Sequence, residues 1–196
     1  MLHERETSSC GWTSNPLSGN YPRRQRMGFL TPNDIESFRS LYTLQLQYLL
    51  STEGQILKGL GSMITHANDT QLKQAFQSHK QETEIHVQRL ESMISELNDG
   101  DVDDKKDVII TSLIGSGENI VSESEEGPVR DAGLLATAQK VEHYEIASYG
   151  SARDWANVIG MTEHAALLQK TLEEEKHADE LLSTISRRTN TEANAV

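Results

Sequence analysis

Two carboxylates stand where leucines belong. In the stretch TLEEEKHADELL, residues 171–182, Leu168, Leu172 and Leu182 recur at helical spacing, yet the positions continuing their stripe are Glu175 and Asp179. Burying an unpaired carboxylate costs several kcal/mol, and crowding like charges costs more, through repulsion or forced protonation. Three other segments repeat the interruption on seams of alternating three- and four-residue spacing. One reads Tyr42, Leu46, Leu49, Glu53, Ile56, Leu60, Met63. A second reads Leu72, Phe76, His79, Thr83, His86, Leu90, Met93, Leu97, with Glu82 beside Thr83. A third reads Leu135, Ala138, Glu142, Glu145, Tyr149, Ala152, Ala156, Ile159.

All four seams carry acids near mid-helix, and antiparallel helices of similar length hold their middles at one height. Glu53, Glu82, Glu142, Glu145, Glu175 and Asp179 are therefore expected to converge, with His86, one turn from Glu82, as an imidazole partner. Such a group needs positive counter-charge. Of the 18 Lys and Arg residues only Lys58, Arg89 and Lys140 flank the seams, and none lies on one. Divalent cations are the better counter-charge, and oxygen donors with imidazole suit Fe or Mn and tolerate Zn. His79 is expected to support or pack rather than to ligate. Tyr48, Tyr144 and Tyr149 are expected to pack nearby.

The elements that must position these groups follow from periodicity. Residues 1–30, rich in Ser, Asn, Gly and Arg, are expected to form a flexible tail, with Arg23, Arg24 and Arg26 as a solvated patch. Helices are expected over about 34–65, 69–97, 130–159 and 162–187. Asn33 or Asp34 would cap the first behind Pro32, and Thr162 would cap the last after Gly160. Between the second and third lies VIITSLIGSGENIV, a short helix candidate weakened by Gly115 and Gly117. Two helical hairpins joined by a long crossover give an all-α, ferritin-like four-helix bundle over 31–188, with 189–196 as a flexible C-terminal tail.

Two other constellations fail on geometry. Asp99, Asp101 and Asp103 alternate like a calcium loop, but the required glycine is Asp104 and the closing glutamate is Ile110. Glu174 and His177 have Glu-x-x-His spacing, yet at about 100° per residue they point about 100° and 160° away from Glu175. Both are expected on a solvated face with Glu173, Lys176 and Glu180.

Composition narrows the partners. The 196 residues are 36% hydrophobic and 24% charged, enough for one ordinary core. A net charge of -12 and pI near 5.0 disfavour nucleic acid and anionic membranes. Cys10 is the single cysteine, so an intramolecular disulfide is excluded. No apolar run approaches the about 20 residues that span a bilayer, and residues 1–12 lack the apolar segment of a secretory signal. A cytoplasmic protein is expected.

The segments STEGQILKGL (51–60), QETEIHVQRLE (81–91), AQKVEHYEIASYG (138–150) and LEEEKHADELL (172–182) resemble the ferritin-like YciE/YciF stress-response proteins of bacteria. The resemblance covers about residues 35–187 and is most specific at EHYEIASYG. It implies a ferritin-like fold, a rubrerythrin-like dinuclear metal site, dimerisation and a part in general or osmotic stress. Carried over, Glu53, Glu82, the pair Glu142 and Glu145, and the pair Glu175 and Asp179 would be the ligands. Glu82 and Glu175 would bridge two ions, and Glu53 and Glu142 would be terminal. The even-numbered helices depart from Glu-x-x-His spacing, showing Glu82 with His86 and Glu175 with Asp179.

Two functions are consistent with these residues. One is a di-iron oxidoreductase, ferroxidase-like or peroxide-reducing, taking dioxygen or peroxide as its small oxidant. The alternative is a non-catalytic homodimeric helical module that keeps the site as a vestige or stores a cation.

Overall fold

The computed structural model describes residues 35, 37–97 and 105–196. The expected tail over 1–30, the caps Asn33 and Asp34, Cys10 and the Asp99–Asp101–Asp103 loop lie outside the described residues. Within them the chain folds as five helices, α1 (Phe38–His66), α2 (Thr70–Leu97), α3 (Val108–Glu123), α4 (Pro128–Val158) and α5 (Thr162–Ala193). α1 with α2 and α4 with α5 form the two hairpins, which meet along α1–α4 and α2–α5. α3, the crossover helix, packs on α1 and α4. This is the ferritin-like bundle the seams predict.

Local chemistry sets the boundaries. Ser37 caps α1 in a reciprocal capping box with Ser40. The Asp131 carboxylate accepts the backbone N–H groups of Asn68 and Asp69, each at 2.8 Å, and so ties the α1–α2 turn to α4. Gly160 adopts φ +78°, a left-handed conformation glycine takes freely. Thr162, expected as a cap, is instead the first residue of α5, with Met161 at the cap position. α5 also runs to Ala193 rather than ending near 187, because Ile185 and Thr189 continue its buried face.

The crossover helix is firmer than its glycines suggest. Asp107 caps α3 through the N–H groups of Ile109 and Ile110, at 2.8 and 3.2 Å. Its carboxylate also accepts the hydroxyls of Thr52, at 3.0 Å, and Tyr144. A Cβ on Gly117 would stand 3.2 Å from Thr137 Cγ2, and one on Gly133 would stand 2.5 Å from Ile120 Cγ2. The glycines let α3 and α4 approach closely, an interface gain that outweighs their poor helix propensity.

The seams divide the core in two. Ile56, Leu60, Phe76, Leu134, Val141 and Leu182 belong to one apolar cluster. Leu46, Leu49, Leu90, Tyr149, Leu168 and Leu172 belong to another. On every long helix the acids and imidazoles that interrupt the seam, Glu53, His79, His86, Glu142, Glu145 and Glu175, fall between the two. The polar groups thus form a layer sealed above and below by hydrocarbon.

Candidate metal centre

α1 contributes Glu53, α2 His79 and His86, α4 Glu142 and Glu145, and α5 Glu175. All six are buried. One donor atom from each of His79, Glu142, Glu145 and Glu175 lies within 4.8 Å of the others, and the same holds for Glu53, His86 and Glu175. Glu175 belongs to both groups. His86 Nδ1 stands 2.9 Å from Glu175 Oε1 and 3.5 Å from Glu53 Oε1. His79 Nε2 stands 3.4 Å from Glu142 Oε1 and 3.9 Å from Glu175 Oε2.

These contacts are not satisfied hydrogen bonds. Among the described residues, every buried side-chain polar atom without a hydrogen-bond partner belongs to these six. Both oxygens of Glu145 and Glu175 and both nitrogens of His79 are among them. Buried polar atoms are normally paired, and an unpaired one costs about 1–3 kcal/mol. Concentrated lone pairs facing one another make a cation cage. Cis donors around an octahedral ion with bonds of about 2.1 Å stand about 3 Å apart, which the His86–Glu175 separation matches. The group could therefore hold a metal ion.

Protonation reports the same stress. Burial pushes the carboxyls of Glu53, Glu142 and Glu145 upward, and the charge of Glu175 adds to each; Glu142 reaches about 8. Burial alone would lower His79 and His86. The surrounding carboxylates override it and raise both to about 10. Without a cation the layer borrows protons as its counter-charge.

A second set of residues aims the first. His86 Nε2 lies 3.0 Å from Glu174 Oε2. Arg89 grips both oxygens of Glu174, the longer contact at 3.2 Å, and donates to Thr171 at 2.9 Å. With its proton on Nε2, His86 keeps the Nδ1 lone pair for the centre, the carboxylate–histidine arrangement common behind metal ligands. Tyr149 donates to Glu53 and sets its ring edge against His86, centroids 6.3 Å apart. Tyr144 turns instead to Asp107.

The structure gathers Glu53, His86, Glu142, Glu145 and Glu175 but leaves Glu82 and Asp179 outside. Glu82, one position off the α2 seam, keeps a side chain 42% exposed and stands 3.9 Å from Nδ1 of His79. Asp179 lies a full turn below Glu175, rotated from the centre, between Gln139 at 3.5 Å and His143 at 3.6 Å. His79, expected as support, takes the inward place; the clue was its seven-residue spacing from His86, two turns on one face. Glu174 does point away from the centre, but it is not solvated with its neighbours: Arg89 draws it inward onto His86. The paired flanking positions of Arg89 and Glu174 were the available signal. Lys58 and Lys140 are exposed.

Comparison with known proteins agrees with this architecture. Residues 37–195 match a family described as a domain of unknown function, DUF892. Protein YciF of Escherichia coli K12 is 33% identical over 153 residues, 78% of this chain and 92% of the relative. The crystal structure of E. coli YciF, called a stress protein, superposes with a TM-score of 0.76 and 32% identity, covering 80% of this chain and 99% of that one. YcfI of Rhodopseudomonas palustris superposes with a TM-score of 0.75 and 33% identity, covering 80% and 98%. The chain belongs to this YciF-type family.

Proposed function

We propose that the chain is a metal-dependent stress-protection protein whose buried layer would hold two divalent ions, iron in the cell, with Glu175 available to both donor groups. The observation that carries this reading is that, among the described residues, the unpaired buried polar side-chain atoms are confined to one six-residue layer. Charge balance supports two ions: four carboxylates neutralise two dications while both imidazoles stay neutral. Four glutamates and two histidines are also the donor set of di-iron carboxylate bundles, here with both histidines on α2 and paired glutamates on α4.

When bound, two ferrous ions supply one electron each, so that hydrogen peroxide and two protons yield two waters. The protein's own groups do the rest. Glu174 and Arg89 hold His86 in one tautomer, Tyr149 holds Glu53, and the flanking apolar clusters close the layer above and below. Protons that the carboxyls and imidazoles carry before loading must leave when cations take their place. Among the described residues no helix is long and apolar enough to cross a membrane. The reading adds a cytoplasmic setting, a homodimer, and no nucleic-acid or membrane partner, in keeping with the net charge of -12.

Elemental analysis with peroxide-consumption assays on protein from iron-supplemented cells tests it. About two iron atoms per chain and iron-dependent peroxide loss are expected. Metal bound without redox turnover would favour a storage or structural module.

A further inference from the structure

Glu82 is left outside the centre, yet it is not idle. It lines a cavity of about 230 Å³ between α2 and α5, together with Ser78, His79, Glu142 and His177. Glu82 and His177 form its solvent-facing side, the latter exposed. His79 and Glu142 belong to the centre itself. His79 is 6% exposed and neither ring nitrogen has a hydrogen bond. Its Nδ1 faces Glu82 at 3.9 Å and its Nε2 faces Glu142 at 3.4 Å. The ring therefore stands between a carboxylate that meets solvent and one that does not.

A second cavity also touches His79 and Glu142, beneath α3. It measures about 40 Å³, and its walls are mostly hydrocarbon, including Ile56, Leu60, Met63, Leu134 and Val141. A hydrated dication would lose water there with few donors to replace it. The α2–α5 cavity has room for a cation with its water shell, since one water needs about 10–15 Å³ of such space. It also offers oxygen and imidazole donors along its depth.

We propose that the α2–α5 cavity is the cation inlet of the centre: Glu82 and His177 capture a hydrated divalent ion at the mouth, and His79 passes it to Glu142. The inlet rests on the reading of the buried layer as a metal centre. Focusing by an acidic cleft raises capture rates of cations by about 10- to 1,000-fold, and the overall negative charge adds long-range attraction.

Stopped-flow mixing of metal-free full-length protein with Co²⁺, followed by a free-metal indicator dye, tests the inlet alongside equilibrium stoichiometry. Glu82→Gln should slow uptake about tenfold while stoichiometry stays at the wild-type value, and Glu82→Lys should slow it further. His177→Gln should slow it as well. Glu84→Gln removes the same charge from an exposed α2 position away from the cavity and should change the rate less than about twofold. Unchanged rates in the Glu82 variants overturn the inlet, as does a parallel fall in stoichiometry, which would make Glu82 a resident ligand. Wild-type protein that takes up no Co²⁺ overturns the inlet and the metal reading together.

Discussion

The Nε2 of His86 stands 3.0 Å from Glu174 Oε2, while the Nδ1 of the same ring faces Glu175 at 2.9 Å. One imidazole thus joins a half-buried ion pair to the buried layer. Arg89 holds Glu174 below the usual carboxylate range despite the opposing effect of burial, so Glu174 stays an acceptor for the His86 proton. Glu174→Gln should lower metal affinity about 10- to 100-fold with stoichiometry intact. Chelator-competition titration reads the change. Equal affinities in variant and wild type would remove Glu174 from the positioning role.

Glu175 is shared by both donor groups, whereas Glu53 belongs to one. Glu175→Ala should therefore abolish stoichiometric binding of both ions. Glu53→Ala should weaken one more than the other, visible as two separated phases in calorimetric titration.

The same layer is a liability when empty. Replacing Glu145, whose two buried oxygens have no hydrogen-bond partner, by Leu in metal-free protein should raise stability by about 1–3 kcal/mol, the usual cost of an unsatisfied buried polar group. Denaturant unfolding under chelator measures it. A destabilised Glu145→Leu protein would mean that the carboxyl is well accommodated without a cation.

Stability should also depend on pH in a definite direction. Glu142, raised from 4.5 to about 8, and His79 and His86, raised from 6.5 to about 10, hold protons in the folded state that the unfolded chain has released. Their contributions are complete below the unfolded values and are lost as pH climbs through the folded ones. Metal-free protein should thus melt at progressively lower temperature from pH 6 to pH 10. Asp69, Glu82 and Glu174, all shifted downward, lose their contributions only below this window. Loaded protein should show the reverse trend, since fewer protons compete for the donors. Thermal scans with and without Mn²⁺ separate the two.

At the α3–α4 contact, Gly133→Ala should destabilise the protein by about 1–3 kcal/mol through overpacking against Ile120, although alanine is the better helix former by about 1 kcal/mol. A neutral or stabilising result by urea unfolding would show that α3 yields easily.

The bundle and its polar layer were legible in the sequence because both rest on one periodicity. Tyr42 through Leu60 on α1 and Leu72 through Met93 on α2 are buried as their seams require. The same periodicity carried the convergence of Glu53, Glu142, Glu145 and Glu175. It failed at Glu82 and Asp179, each only a fraction of a turn from the inward direction. Supercoiling and the lean of neighbouring helices decide such side chains, and neither is written in spacing. Helix periodicity alone puts Glu174 on a solvated face, whereas one guanidinium across the α2–α5 interface suffices to fold its carboxylate inward. Gly117 lowers helix propensity locally in α3 but lets α4 approach closely, whereas Gly115 faces open space.

The central claim is that cations complete the buried layer. Anaerobic titration of metal-free protein with Fe²⁺, with bound metal counted by elemental analysis after desalting, tests it most directly. The account predicts saturation at about two ions per chain, lost in Glu175→Ala. No retained iron, or the same iron content in that variant, would contradict it.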